Sequence, residues 1–263
     1  MHRGKANFTF LALPLFLLFY EPIFTMAYHK FLALAVTAVI SGSFAPSIAL
    51  DDSLAVAPNS TSTTLEAINR LTDDDYARVA NELGVEIAAI KAVSEIEAGK
   101  NHHGFHAVGC PTLNFSINMF NRALKRRQIA VSSAQRRNSA CFLPLNRKKY
   151  GSYGAAQHAR LKSAMAIDSV AAITSCYWGM FQIGGFNWDR CGCSSPQEFA
   201  RLMSQNEAMQ LELFAHFISR NGMLKHLQNH NWYAFARIYN GSKRAKSYAA
   251  RMANAYARYS KKK

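Results

Sequence analysis

Three short stretches carry residue types that do chemistry together: Glu97 near the end of a helical pattern, Gly179-Met180-Phe181-Gln182-Ile183, and Tyr239-Asn240-Gly241. At 100° per residue, Ile87, Ile90, Val93 and Ser94 share one face of a helix expected over about 86–98. Glu97, seven residues after Ile90, falls on that face, whereas Glu95 points away. A carboxyl on an inward stripe is partly desolvated, which raises its pKa and lets it hold a proton near neutrality. A helix-end Glu paired with an arginine is the plain alternative. The stretch Tyr177 to Asn187 adds clustered aromatic rings, three glycines and the amides of Gln182 and Asn187. Rings with a polar tip, such as Tyr177 and Trp178, suit the apolar faces and hydroxyls of a sugar. An amide donates and accepts at once, and glycine lets the backbone approach a ligand closely. A tight corner between helices with a buried Trp would use the same residues.

Other polar clusters are weaker. His102, His103, His106 and Cys110 match no zinc spacing and have no second ligand cluster, so a solvated loop is expected, with no metal and no cofactor. Asp168 and Asp189 are candidates for a second carboxylate, though each is better explained as a helix-surface or loop acid paired with a nearby arginine.

The elements that position these residues are helices. Thr72 followed by three aspartates is a strong helix start, and Gly84 a stop. Further helices are expected over 155–175, interrupted on its apolar side by Asp168, and over 197–219, with Phe199, Leu202, Met203, Met209, Leu213 and Phe217 in the core. A short helix after Trp232 ends at Tyr239-Asn240-Gly241, and a last one spans 249–259. Residues 122–149, rich in Arg and Lys, read as a basic, mobile excursion. Strand signals are weak, so the fold class is mainly α.

The chain has 263 residues and a formal net charge of +15. The length allows one domain with a sizeable core plus appendages. The charge favours anionic partners, anionic cell-wall polymers among them. Nucleic acid is not expected, because the basic stretch lacks interleaved aromatics. Residues 26–49 resemble a secretion signal, with a basic start, the apolar run Phe31–Ile40 and a small-residue site ending at Ala49. Residues 1–25 then form an apolar extension, either upstream of a true start at Met26 or a membrane segment, and 50–70 a linker. A membrane would be met only through this N-terminal part. Export to the periplasm or beyond would permit disulfides among the five cysteines, with one left over and no pairing assigned.

A helix-end Glu, a Gly-x-x-Gln-Ile turn and a Tyr-Asn motif in that order resemble the lysozyme-like superfamily of goose-type lysozymes and lytic transglycosylases. The stretch 71–259 is more closely similar to the N-acetylmuramidase family of phage-type endolysins. That likeness rests on Leu71-Thr72-Asp73, Ala92 to Glu97, Tyr150 to Gly154, Arg160-Leu161, Trp178 to Ile183, Gly185-Phe186-Asn187 and Phe235 to Gly241. It implies a single lysozyme-like catalytic domain, with 260–263 as a basic tail, acting on peptidoglycan glycan strands at the MurNAc–GlcNAc bond. Carried over, Glu97 is the catalytic acid, and Gln182, Tyr239 and Asn240 hold the glycan; Trp178 and Asn187 join them as expected sugar contacts. The chain departs from the family pattern at Ala98, at Tyr177, and at Ser116, where an acid is usual. Loss of that acid keeps two further readings open: a lytic transglycosylase forming 1,6-anhydroMurNAc, and a catalytically impaired peptidoglycan-binding protein.

Overall fold

The computed structural model describes residues 70–98, 103–144, 146 and 154–261. The expected extension, signal segment and most of the linker, together with 147–153 and 262–263, lie outside the described residues. Helix α1 (Asp73–Leu83) starts at Thr72, whose hydroxyl accepts from the Asp75 N–H (3.2 Å) while the Asp75 carboxylate accepts from the Thr72 N–H (2.9 Å). This reciprocal cap satisfies two backbone donors that a helix start leaves open. The helix ends at Gly84, which adopts φ +60°. Helix α2 (Ile87–Ala98) buries Ala89, Ile90, Ala92, Val93 and Ser94. Ile87, its first residue, is instead 42% exposed, so the inward stripe begins at Ile90.

Among the described residues, five short strands interrupt the helices. A hairpin pairs β1 (Phe105–Ala107) with β2 (Cys110–Pro111), and β3 (Leu113–Phe115) opens a three-stranded antiparallel sheet. Helices α3 (Ile117–Arg126) and α4 (Val131–Arg137) follow, so much of the expected basic excursion is ordered helix. Phe120, Ala123 and Leu124 anchor α3 in the core while its Arg and Lys residues face outward. The expected helix over 155–175 is two, α5 (Ala155–Met165) and α6 (Ser169–Ile173). Asp168 makes the break: its carboxylate caps α6 through the Ala171 N–H (2.7 Å) and accepts from Arg127 Nε (2.7 Å). Strands β4 (Cys176–Trp178) and β5 (Ile183–Gly184) complete the sheet in the order β3-β4-β5, with Trp178 opposite both Leu113 and Ile183.

The helix expected over 197–219 is also split, into α7 (Pro196–Met203) and α8 (Glu207–Arg220), because Asn206 caps a new start through the Met209 N–H. Of the predicted core residues there, Phe199, Leu202, Met203 and Leu213 are buried, while Met209 and Phe217 are half-buried. Helices α9 (Leu224–Gln228), α10 (Trp232–Asn240) and α11 (Ser242–Ser260) close the chain. The last begins seven residues earlier than expected. It packs along both α10 and α2 through Ala245, Tyr248, Met252 and Ala255, spaced as one helical face. All five cysteines are free thiols, and all but Cys110 are buried, where a thiol behaves as a small apolar group.

Two buried polar side chains of α8 tie the loops together. Glu207 accepts from the backbone N–H of Leu71 (2.9 Å) and Gly104 (2.7 Å). Gln210 accepts from the Met180 N–H (2.7 Å) and donates to the carbonyls of Met203 (2.9 Å) and Gly104 (3.2 Å). A Gln210→Leu substitution would strand these buried backbone groups. We expect it to cost about 3 kcal/mol, seen as a lower urea midpoint at unchanged denaturant slope.

Candidate active site

Glu97 lies in the last turn of α2 and opens into a cleft of about 610 Å³ lined also by Tyr177, Gln182, Tyr239, Asn240, Gly241, Ser242, Lys243 and Arg244. It is the one carboxylate among those lining residues. The side chain is half-buried, and burial pushes its pKa from 4.5 up to about 8. Two weaker influences oppose that rise: a hydrogen bond donated by Asn240 Nδ2 to Glu97 Oε1 (3.5 Å) and the positive charge of Arg251. At neutral pH the group therefore carries its proton. Glu95, on the other side of the helix, pairs with Arg258 at the surface. The two acids of one turn thus have opposite fates, set by the face each occupies.

The second wall is the turn between β4 and β5. Gly179 adopts φ +69°, and Gln182 also sits in the left-handed region at φ +46°, a conformation that costs a residue with a side chain on the order of 1 kcal/mol. The Gln182 amide donates to the Gly179 carbonyl (2.9 Å), closing the turn on itself. A side chain at position 179 has no room, because a Cβ there would lie 2.7 Å from the Gln210 amide. Tyr239 reaches across from α10 and donates its hydroxyl to the Phe181 carbonyl. Burial raises the pKa of that phenol, and Glu97 once ionised raises it further, so it stays a neutral donor. Phe181 is stacked on Phe214 with ring centroids 4.3 Å apart, which anchors the same turn in the core.

Four of the residues singled out from sequence, Glu97, Gln182, Tyr239 and Asn240, therefore meet on one cleft. Trp178 and Asn187 do not line it. Trp178 is 3% exposed, donates its indole N–H to the Ile173 carbonyl (3.1 Å) and meets Phe199 edge to face. Strand alternation explains this: successive residues of β4 point to opposite faces, so with Trp178 in the core Tyr177 takes the cleft side. Asn187 closes the short 3₁₀ turn Gly185–Asn187, and its carbonyl accepts from the Cys191 N–H. The candidate second carboxylates are elsewhere. Asp168 is the α6 cap paired with Arg127, and Asp189 is exposed. Ser116, at the position of the missing family acid, caps α3 through the Met119 N–H (3.3 Å).

Sequence reading missed Gln210, which holds the cleft turn at Met180, with Glu207 beside it, which holds the backbone at Leu71 and Gly104, and Lys243 and Arg244, which line the cleft. The first pair sits at i, i+3 on a helix beside apolar positions, a spacing that marks one face. The second pair follows Tyr239-Asn240-Gly241 directly.

The family model for N-acetylmuramidase matches residues 86–260. The crystal structure of Burkholderia AP3 phage endolysin is similar over 78% of this chain and 78% of that chain, with 33% sequence identity and a TM-score of 0.62. No curated protein matches. With more than half its length matched, and with the helical fold of that endolysin, the chain belongs to the N-acetylmuramidase family and is a glycoside hydrolase of peptidoglycan.

Proposed function

We propose that the chain cleaves the MurNAc–GlcNAc bond of peptidoglycan, with Glu97 as the general acid. The observation that carries this reading is a helix-end carboxyl that lines a sugar-sized cleft, where burial pushes its pKa up to about 8. Cleaving a glycoside requires a proton on the leaving oxygen and a partner for the oxocarbenium-like centre. Glu97 supplies the proton. Asn240 orients the carboxyl, and Gln182 and Tyr177 offer an amide and a ring to the glycan from the facing wall. Tyr239 holds that wall through Phe181. The same reading places the enzyme at the cell wall, reached by export through residues 26–49.

The lining supports a second reading of the product. Glu97 has no carboxylate partner among the residues that line the cleft, and a lytic transglycosylase needs none, because the sugar's own 6-hydroxyl attacks. Mass spectrometry of digested peptidoglycan separates the two. Reducing-end muropeptides are expected from the wild type, and products lighter by one water would replace hydrolysis by transglycosylation. Glu97→Gln is expected to lower turnover on the order of 1000-fold. Unchanged turnover would sink the assignment.

Two pH effects follow from the raised pKa. Activity requires the acid form, so the rate should fall as pH rises through about 8. Folding stability responds in the same window. Between 4.5 and about 8 the folded state holds a proton that the unfolded chain releases, so stability declines as pH rises. Gln carries no such penalty. Glu97→Gln should therefore raise the melting temperature by about 3 °C near pH 7.5, with the gain shrinking toward pH 4.5. Equal melting points at pH 7.5 would mean that the carboxyl is not held in its acid form. Sequencing the N-terminus of the exported protein should read from Leu50, and a start elsewhere would correct the signal boundary.

A further inference from the structure

Lys243 and Arg244 have no part in proton transfer, yet they line the same cleft as Glu97, Gln182 and Asn240. Both are exposed. Neither joins an ion pair among the described residues, whereas Arg78, Arg127 and Arg258 each find an acid. Their place on α11 is electrostatically unfavourable. They sit in its first turn, which holds no acid, and the positive end of a helix dipole disfavours cations there. Nor do they serve Glu97, since the charge opposing its burial is that of Arg251. Two cations that line the acid's cleft, with no ion-pair partner among the described residues, leave the substrate as the group they can face.

Resting on the muramidase reading, we propose that Lys243 and Arg244 bind a carboxylate carried on the lactyl arm of the muramyl sugar. The carboxylate is either that of the free lactyl group or one on a peptide stem attached through it. The GlcNAc and MurNAc rings and their acetamido groups are uncharged. Amide and ring contacts such as those of Gln182 and Tyr177 treat the two sugars alike. A cation pair does not: it selects the sugar that bears the arm, and so fixes which ring enters on that side of the acid. Arginine can take a carboxylate through two parallel N–H bonds, with lysine as a point charge beside it.

The test uses the full chain carrying Glu97→Gln, so that binding is read without turnover. Three soluble glycan fragments are titrated: stem-bearing strands, strands stripped by an amidase to leave the free lactyl carboxylate, and stripped strands with that carboxylate converted to a neutral methylamide. An anionic fragment is expected to bind about tenfold more tightly than the neutral one, a preference that shrinks with added salt. Lys243→Gln with Arg244→Gln should collapse that ratio toward one, and Lys243→Arg with Arg244→Lys should restore it. The anionic fragment that loses more affinity identifies which carboxylate is bound. Equal affinity for all three fragments, or a ratio that survives the Gln substitutions, overturns the proposal. Digestion of the same fragments by the wild type reads the muramidase assignment separately. If none is cut, that assignment fails while the binding ratio still decides this one.

Discussion

Helix α11 lies along both α2 and α10, and that double contact holds an acid on one helix within reach of an amide on another. Its buried face sets two large residues, Tyr248 and Met252, between two small ones, Ala245 and Ala255. Alanines let the helix axes approach, while Tyr248 and Met252 fill the space between. The approach works only because the chain reverses sharply at Gly241, where φ +76° and ψ 162° form a combination open essentially to glycine. With α11 folded back, Asn240 at the end of α10 comes to 3.5 Å from Glu97 at the end of α2. The geometry of the acid is thus a property of helix packing and not of a loop, which favours a fixed carboxyl environment.

The opposite wall is a loop, and it is held from behind. Gln210 grips the Met180 N–H, Tyr239 grips the Phe181 carbonyl, and the Gln182 amide returns to Gly179. Each bond satisfies a backbone group of a tight turn that has left its strand ladder and would otherwise be stranded near the core. Together they also offset the cost of keeping Gln182 at positive φ. Tyr239 links the two walls, since it belongs to α10 and bonds to the turn. Loosening it would disturb both sides of the cleft at once.

The sequence made the acid legible because helix periodicity is long-lived: Ile90, Val93 and Glu97 keep one face over a continuous helix. Caps were legible for the same local reason at Thr72 and Gly84. The rest was hidden by competition between signals. Asp168 and Asn206 interrupt apolar stripes that run on past them, and a stripe cannot tell a solvent-facing polar residue from a cap that starts a new helix. Strand β4 is three residues long, too short for alternation to distinguish Trp178 from Tyr177 in advance. Gln210 looked like an ordinary helix polar residue because its partners, Gly104 and Met180, are remote in sequence. Lys243 and Arg244 disguised the start of α11, since cations in a first turn contradict the helix dipole rule.

One carboxyl on the cleft lining constrains the chemistry that follows from the proposed role of Glu97. After the proton leaves, the group is a carboxylate in surroundings that favour its neutral form, as its pKa of about 8 records. That ion is a stronger base than a solvated glutamate. It is therefore well placed to recover a proton from whatever attacks the sugar, a water or the sugar's 6-hydroxyl. Burial that loads the acid in the first half of the cycle also sharpens the base in the second. Asn240 and Arg251 temper the effect by stabilising the ion, which limits the rise that burial causes. A more deeply buried glutamate would hold its proton too tightly to give it up, and a fully solvated one would have none to give. The contacts around Glu97 set it between those limits.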